Sequence, residues 1–220
     1  MWKFTRFSFG QHGIVTYRRD TVRTRRSQVF SLIISPMTDY EKKNRQRMIT
    51  LLSNLPLCAS PEGWKSMGKI AVGGLTEIGF SKNTQLLLVV SSSGRGVIDC
   101  ARGKKISRDD EADGEWYEPA QLVCQGIGPL RGESILISGL NGGGLPTSTR
   151  LGERLEVVSP DWPKATLIFC APYKSALIEG HQMGCVSVAS DYLLAYGFSW
   201  CGNSFVYATS SDVTVFTRIG

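Results

Sequence analysis

The sequence predicts an all-β fold, mostly antiparallel meanders, preceded by one amphipathic helix. Three observations lead there. One stretch of strand formers occurs twice: Leu75 to Asp99 (LTEIGFSKNTQLLLVVSSSGRGVID) and Leu193 to Thr217 (LLAYGFSWCGNSFVYATSSDVTVFT) align without a gap, 118 residues apart. Repetition of this kind is the mark of a modular architecture. From Lys69 onward, short runs rich in Val, Ile, Leu and Phe alternate with polar or glycine-containing turns, the pattern of consecutive strands. Helical spacing of apolar residues is read in one place, before those runs begin.

The elements follow in order. Residues 1–37 form a basic leader containing RRDTVRTRR at 18–26. Three readings of it stand: a flexible arm, a nucleic-acid or partner-binding tail, or a stretch upstream of a true start at Met37. Thr38 and Glu41 make a capping box, in which a hydroxyl and a carboxylate three residues on satisfy free backbone amides. Tyr40, Met48, Leu51, Leu52 and Leu55 recur at helical spacing and Pro56 ends the run, which predicts a helix over about 39–54. Lys42, Lys43, Arg45 and Arg47 mark its polar side, and its apolar stripe is expected to pack on the sheet or its edge. Helix and linker occupy 38–65, and a single β domain with internal repeats occupies 66–220.

Ile70–Val72 and Leu75–Phe80 read as strands, followed by a turn at Lys82-Asn83-Thr84. Leu86–Val90 is an unbroken apolar run, so burial on both faces is expected. Ser93-Gly94-Arg95-Gly96 supplies a hairpin turn into Val97–Cys100, and Ala101–Lys104 turns the chain again into Ile106. Ser134–Ser138 and Thr166–Cys170 are further short β runs. Val157–Asp161 reads as a partial third copy: Ser159 lies 78 residues after Ser81 and 40 before Ser199, giving a unit of about 39–40 residues.

The run GFSKNTQLLLVVSSSGRGVIDCARGKKI resembles one blade of a WD-type β-propeller, with Phe80-Ser81, Asp99 and Gly103-Lys104 carrying the resemblance over residues 75–106. The copy at 193–217 carries its first part. The resemblance implies a compact propeller-like array of about four short blades. A two-sheet sandwich or split barrel of two related halves fits the same spacing. Residues 70–220 also resemble uncharacterised stand-alone bacterial proteins, which implies no activity.

Composition narrows the class further. Of 220 residues, 42% are hydrophobic and 20% charged, with 24 glycines, which is globular and turn-rich. The formal charge of +6 is uneven: residues 1–50 hold 11 Lys/Arg and 3 Asp/Glu (net +8), the rest 14 and 16 (net −2). The β region therefore lacks the basic balance of a nucleic-acid-binding face. Cysteines at 58, 100, 124, 170, 185 and 201 form no CxxC, so free core thiols in a reducing cytoplasm are expected. The leader has no continuous apolar core, and the run Val29–Ile34 is too short to span a bilayer, so neither a signal peptide nor a membrane segment is expected.

Candidate binding residues lie in the turns. They are Trp116 and Tyr117 after an acidic loop, Asn141, Gly142, Gly143 and Gly144 in GLNGGGLP, and Asp161 and Trp162 in SPDWP. Trp200 falls in a predicted hairpin turn. Asp109, Glu111, Asp113 and Gly114 imitate the opening of an EF-hand loop. Ala120 stands at the twelfth position where a bidentate Glu belongs, so the loop reads as a solvated hairpin tip. His12 and His181, the two histidines, accompany no G-x-S-x-G motif. The expected function is a non-enzymatic binding or interaction module whose partner is a protein or a small polar ligand. No catalytic residue, metal or cofactor is assigned. No membrane is implied, and nucleic acid enters only through residues 1–36. The alternative is a small carboxylate-dependent enzyme, hydrolase-like, using Asp99, Asp109 or Asp161.

Overall fold

A computed structural model describes residues 37–111 and 114–220. The readings of the leader, His12 and Asp113 lie outside them. The one α-helix among the described residues, α1 (Asp39–Asn54), opens on the capping box: the Glu41 amide donates to Thr38 Oγ1 at 3.3 Å, and the Thr38 amide donates to the Glu41 carboxylate at 2.7 Å.

Among the described residues the strands divide among four antiparallel sheets, none closed into a barrel. β1 (Trp64–Ala71) comes first and finds its partner at the other end of the sequence. β2 (Leu75–Phe80), β3 (Leu86–Ser91), β4 (Gly94–Asp99) and β5 (Lys104–Asp109) meander as the first sheet. β6 (Tyr117–Glu118), β7 (Val123–Gln125) and β8 (Ser134–Leu136) form the second, with one 3-10 turn, Gly128–Leu130, between the last two. β9 (Ser138–Gly139) returns to pair with β2. β10 (Arg154–Val158), β11 (Ala165–Cys170) and β12 (Cys185–Asp191) are the third sheet. β13 (Ala195–Phe198), β14 (Ser204–Ala208) and β15 (Asp212–Arg218) begin the fourth, and β1 completes it beside β15.

Pairing registers in the first and fourth sheets differ by the same 118 residues that separate the two similar segments. Phe80 lies opposite Leu87 and Phe198 opposite Phe205; Leu88 lies opposite Val97 and Val206 opposite Val215. The outer strands match as well. β5 bulges at Ile106, between the partners of Val97 and Ile98. β1 bulges at Met67, between the partners of Val215 and Phe216. β1 thus takes beside β15 the place that β5 takes beside β4. The glycine shared by both Gly-Phe-Ser motifs has a steric reason. A Cβ on Gly79 would lie 2.4 Å from the Leu136 carbonyl oxygen, and one on Gly197 would lie 2.3 Å from Leu145 Cβ.

Period-2 alternation sorts the strand residues into four apolar clusters. Leu88, Val90 and Val97 face Cys124, Ile127, Leu130 and Ile135 of the second sheet region. Leu87, Val89 and Ile98, on the other face, meet Val206, Ala208, Val213 and Val215 of the fourth. The fourth sheet turns Phe205, Phe216 and Trp64 to Leu155, Leu167 and Phe169 of the third. The third turns Ile168 and Cys170 to Met48, Leu51, Leu52 and Leu55 of α1. The packing order is therefore second, first, fourth and third sheet, then helix. The apolar run Leu86–Val90 is buried on both faces from Leu87 on, as its composition requires.

Three expectations need correction. Tyr40 belongs to the apolar periodicity but is 79% exposed, because the packed stripe begins at Met48. The run Ser134–Ser138 is not one strand: Ile137 separates β8 in the second sheet from β9 in the first. The hairpin turn is not Ser93–Gly96: β4 already begins at Gly94, and Gly94, Arg95 and Gly96 pair with Ser91, Val90 and Val89 of β3.

Candidate functional site

The glycine-rich turn after β9 is held from both sides. The Gly139 and Gly142 amides each donate to the other's carbonyl at 2.9 and 3.0 Å, and the Leu140 amide donates to the Thr76 carbonyl at 2.9 Å. Gly143 adopts φ +83°, and a Cβ there would lie 2.4 Å from the Ile137 carbonyl oxygen, so this position needs glycine. Gly142 and Gly144 face open space.

Asn141 reaches from this turn to a carboxylate that sequence reasoning missed. Glu77, on β2, is 2% exposed and accepts from Asn141 Nδ2 and from the Tyr117 hydroxyl, both at 2.9 Å on Oε1. Asn141 Nδ2 also donates to the Tyr117 oxygen. Burial and the hydrogen bond to Glu77 push the Tyr117 hydroxyl above its ordinary pKa of 10. An acidic residue between Thr76 and Ile78 reads as an exposed strand position, and only the approach of β9 covers it. Leu140 stands 70% exposed beside this network.

Trp116 lies half-buried against the second-sheet core. Its ring lies 4.3 Å under the Arg95 guanidinium and 5.9 Å from the Tyr117 ring. Asp161 and Trp162 sit elsewhere, in the β10–β11 turn, where Arg45 of α1 donates to the Pro160 carbonyl at 2.9 Å and pairs with Asp161. Trp162 is 62% exposed. The structure thus brings Trp116, Tyr117 and Asn141 together and ties Asp161, though not the exposed Trp162 beside it, to Arg45 of the helix. Trp200, in the β13–β14 turn, has Lys82 Nζ 5.9 Å from its ring.

The three carboxylates weighed for acid–base chemistry each have their own arginine: Asp99 with Arg102 (3.4 Å), Asp109 with Arg95, and Asp161 with Arg45. The Glu111 amide and the Arg95 guanidinium hold Asp109 below the usual carboxylate range. Burial pushes the Cys100 and Cys170 thiols up and takes Cys124 to about 12, which leaves them protonated at neutral pH. His181 is exposed in a turn, and among the described residues no group of three His, Cys, Asp or Glu has metal-binding geometry. No described helix is long and apolar enough to cross a membrane. Comparison with family models, curated proteins and solved structures finds no match to this chain.

Proposed function

We propose that the protein is a non-enzymatic binding module that docks a protein partner on the turn Leu140–Gly144, with Tyr117 and Trp116 beside it. The carrying observation is the Glu77–Tyr117–Asn141 network. It fixes an exposed turn to a buried strand, and a pre-set loop loses little conformational freedom on binding. The arginine paired with each of Asp99, Asp109 and Asp161 favours this reading over an acid–base enzyme built on those carboxylates. Six free thiols support a cytoplasmic setting. The matching registers of the first and fourth sheets support the reading of the sheets as copies of one blade-like unit, with β1 as the outer strand of the last.

The test is pull-down from the source cell with three forms of the full chain. Wild type should retain a partner that Leu140→Asp loses, while Tyr117→Phe, which removes one donor to Glu77, weakens retention several-fold. Both variants should stay folded by far-UV circular dichroism. Equal retention by all three forms rejects this surface.

A further inference from the structure

We propose that the groove between β5 and the Gly128–Leu130 turn binds a small phosphate-type oxyanion, free or as a phosphate monoester. Neither Leu140 nor Asn141 lines it, so the inference is independent of the docking turn. The groove is open and encloses about 440 Å³. Arg95, Ser107, Arg108, Asp109 and Arg131 line it, with the backbone of Gly126 to Gly128. Its lining thus holds three arginines and one acidic residue, Asp109.

Their existing partners show what remains free. Arg95 is 6% exposed; Nη1 donates to the Gln125 carbonyl at 3.0 Å, Nη2 pairs with Asp109, and Nε is buried with no partner. Its charge is covered on one side by the Trp116 ring, which holds the guanidinium in place. Arg108 gives Nε to Asp110 at 2.6 Å and Nη2 to the Ser93 carbonyl, and Nη1 has no partner among the described residues. Among the described residues the Arg131 guanidinium makes no ion pair or hydrogen bond, and the Ser107 hydroxyl makes none either. Ser107 Oγ lies against Gly128, 2.4 Å from where a Cβ would stand, so only glycine at 128 leaves that hydroxyl room.

Acidic groups also face this region and set the competition. Asp109 is committed to Arg95 and to the Glu111 amide, and Glu111 stands 3.7 Å from Arg95 with its side chain 58% exposed. Asp110 is 84% exposed, and an exposed pair of this kind contributes little. An oxyanion therefore displaces Asp110 from Arg108 rather than Asp109 from Arg95, and spans Arg108, Arg131 and the Ser107 hydroxyl. Forked guanidinium donors match the several oxygens of a phosphate better than one carboxylate does.

Calorimetric titration of the full chain with inorganic phosphate, O-phosphoserine and acetate, at fixed ionic strength in a non-phosphate buffer, tests this. Phosphate should bind saturably and acetate should not. Arg131→Ala should weaken phosphate about tenfold, as expected for loss of a charged hydrogen-bonding partner, and Asp110→Asn should tighten it several-fold. Both positions are exposed, so melting temperatures without phosphate should match wild type. Tighter binding of O-phosphoserine identifies a monoester as the natural form; equal or weaker binding identifies the free ion. Absence of saturable phosphate binding, or unchanged affinity in Arg131→Ala, overturns the proposal.

Discussion

Glu153 lies just before β10, yet two of its three side-chain partners belong to the fourth sheet. Arg218 of β15 meets its two oxygens at 3.0 and 2.6 Å, Trp64 Nε1 of β1 donates to it at 3.2 Å, and Thr149 Oγ1 donates at 2.9 Å. The Arg218 guanidinium also lies 4.5 Å over the Trp64 ring. Burial alone would raise the Glu153 pKa, but Arg218 and Thr149 outweigh it and hold the carboxyl below its ordinary value of 4.5. A carboxylate with a depressed folded pKa adds stability that is fully present above the unfolded pKa. That stability is lost as pH falls through the folded one. Wild type should therefore lose stability below about pH 4.5 with a component that Glu153→Gln lacks. At neutral pH the variant leaves Arg218 half-buried and unpaired, and should cost about 3 kcal/mol in urea unfolding. A variant within 0.5 kcal/mol of wild type would show that the bidentate pair contributes nothing net. Nothing in the sequence around 153 pointed to this residue. Arg218 and Trp64 lie 65 and 89 positions away and meet it only after the sheets assemble.

At the scale of elements, α1 shows which interactions hold a helix to a sheet. Met48, Leu51, Leu52 and Leu55 pack on Val158, Ile168 and Cys170, while Arg45–Asp161 and Arg47 to the Leu177 carbonyl add polar ties at the rim. Apolar burial decides the docking, because an exposed ion pair adds at most about 1 kcal/mol. Leu52→Ala should cost about 2 kcal/mol and Asp161→Ala under 1 kcal/mol in chemical denaturation. The reverse order would place the helix under electrostatic control. After the helix, Pro56 and Cys58 bond both backbone groups of Ser187 at 2.9 Å, which covers part of the edge of β12 that no fourth strand occupies. The helix, β2 to β4, β11 and β13 to β15 were legible because each carries several apolar residues at its own period, and β5 (KKISRD), with Ile106 alone, was legible from the turn that precedes it. β6, β7 and β12 were not. The first two are two or three residues long and exist through their neighbours, and β12 (CVSVASD) interleaves serines that the third sheet accepts at its rim.

For the whole molecule, the consequence of the packing order is that each of the first, fourth and third sheets belongs to two cores. The first sheet shares one core with the second and another with the fourth; the fourth shares its other face with the third; the third shares its own with α1. The two similar segments lie in the two central sheets with matching registers, but nothing in them shows that β1 and β15 pair across about 150 residues of chain. That pairing brings Trp64 into the densest aromatic group, where Phe205 stacks on Phe216 at 4.3 Å and meets Trp64 at 4.9 Å, with Phe169 and Phe198 within 5.8 Å. Phe205→Ala removes the centre of the core between the fourth and third sheets and should cost about 3–5 kcal/mol. Because no sheet keeps a complete core once a neighbour is lost, the loss should appear as one earlier cooperative transition. Near-UV dichroism, which reports the aromatic group, and far-UV dichroism, which reports all sheets, should shift together. Two separated transitions in this variant would mean that the third sheet and α1 melt apart from the rest, and that the four cores are coupled less tightly than their shared sheets require.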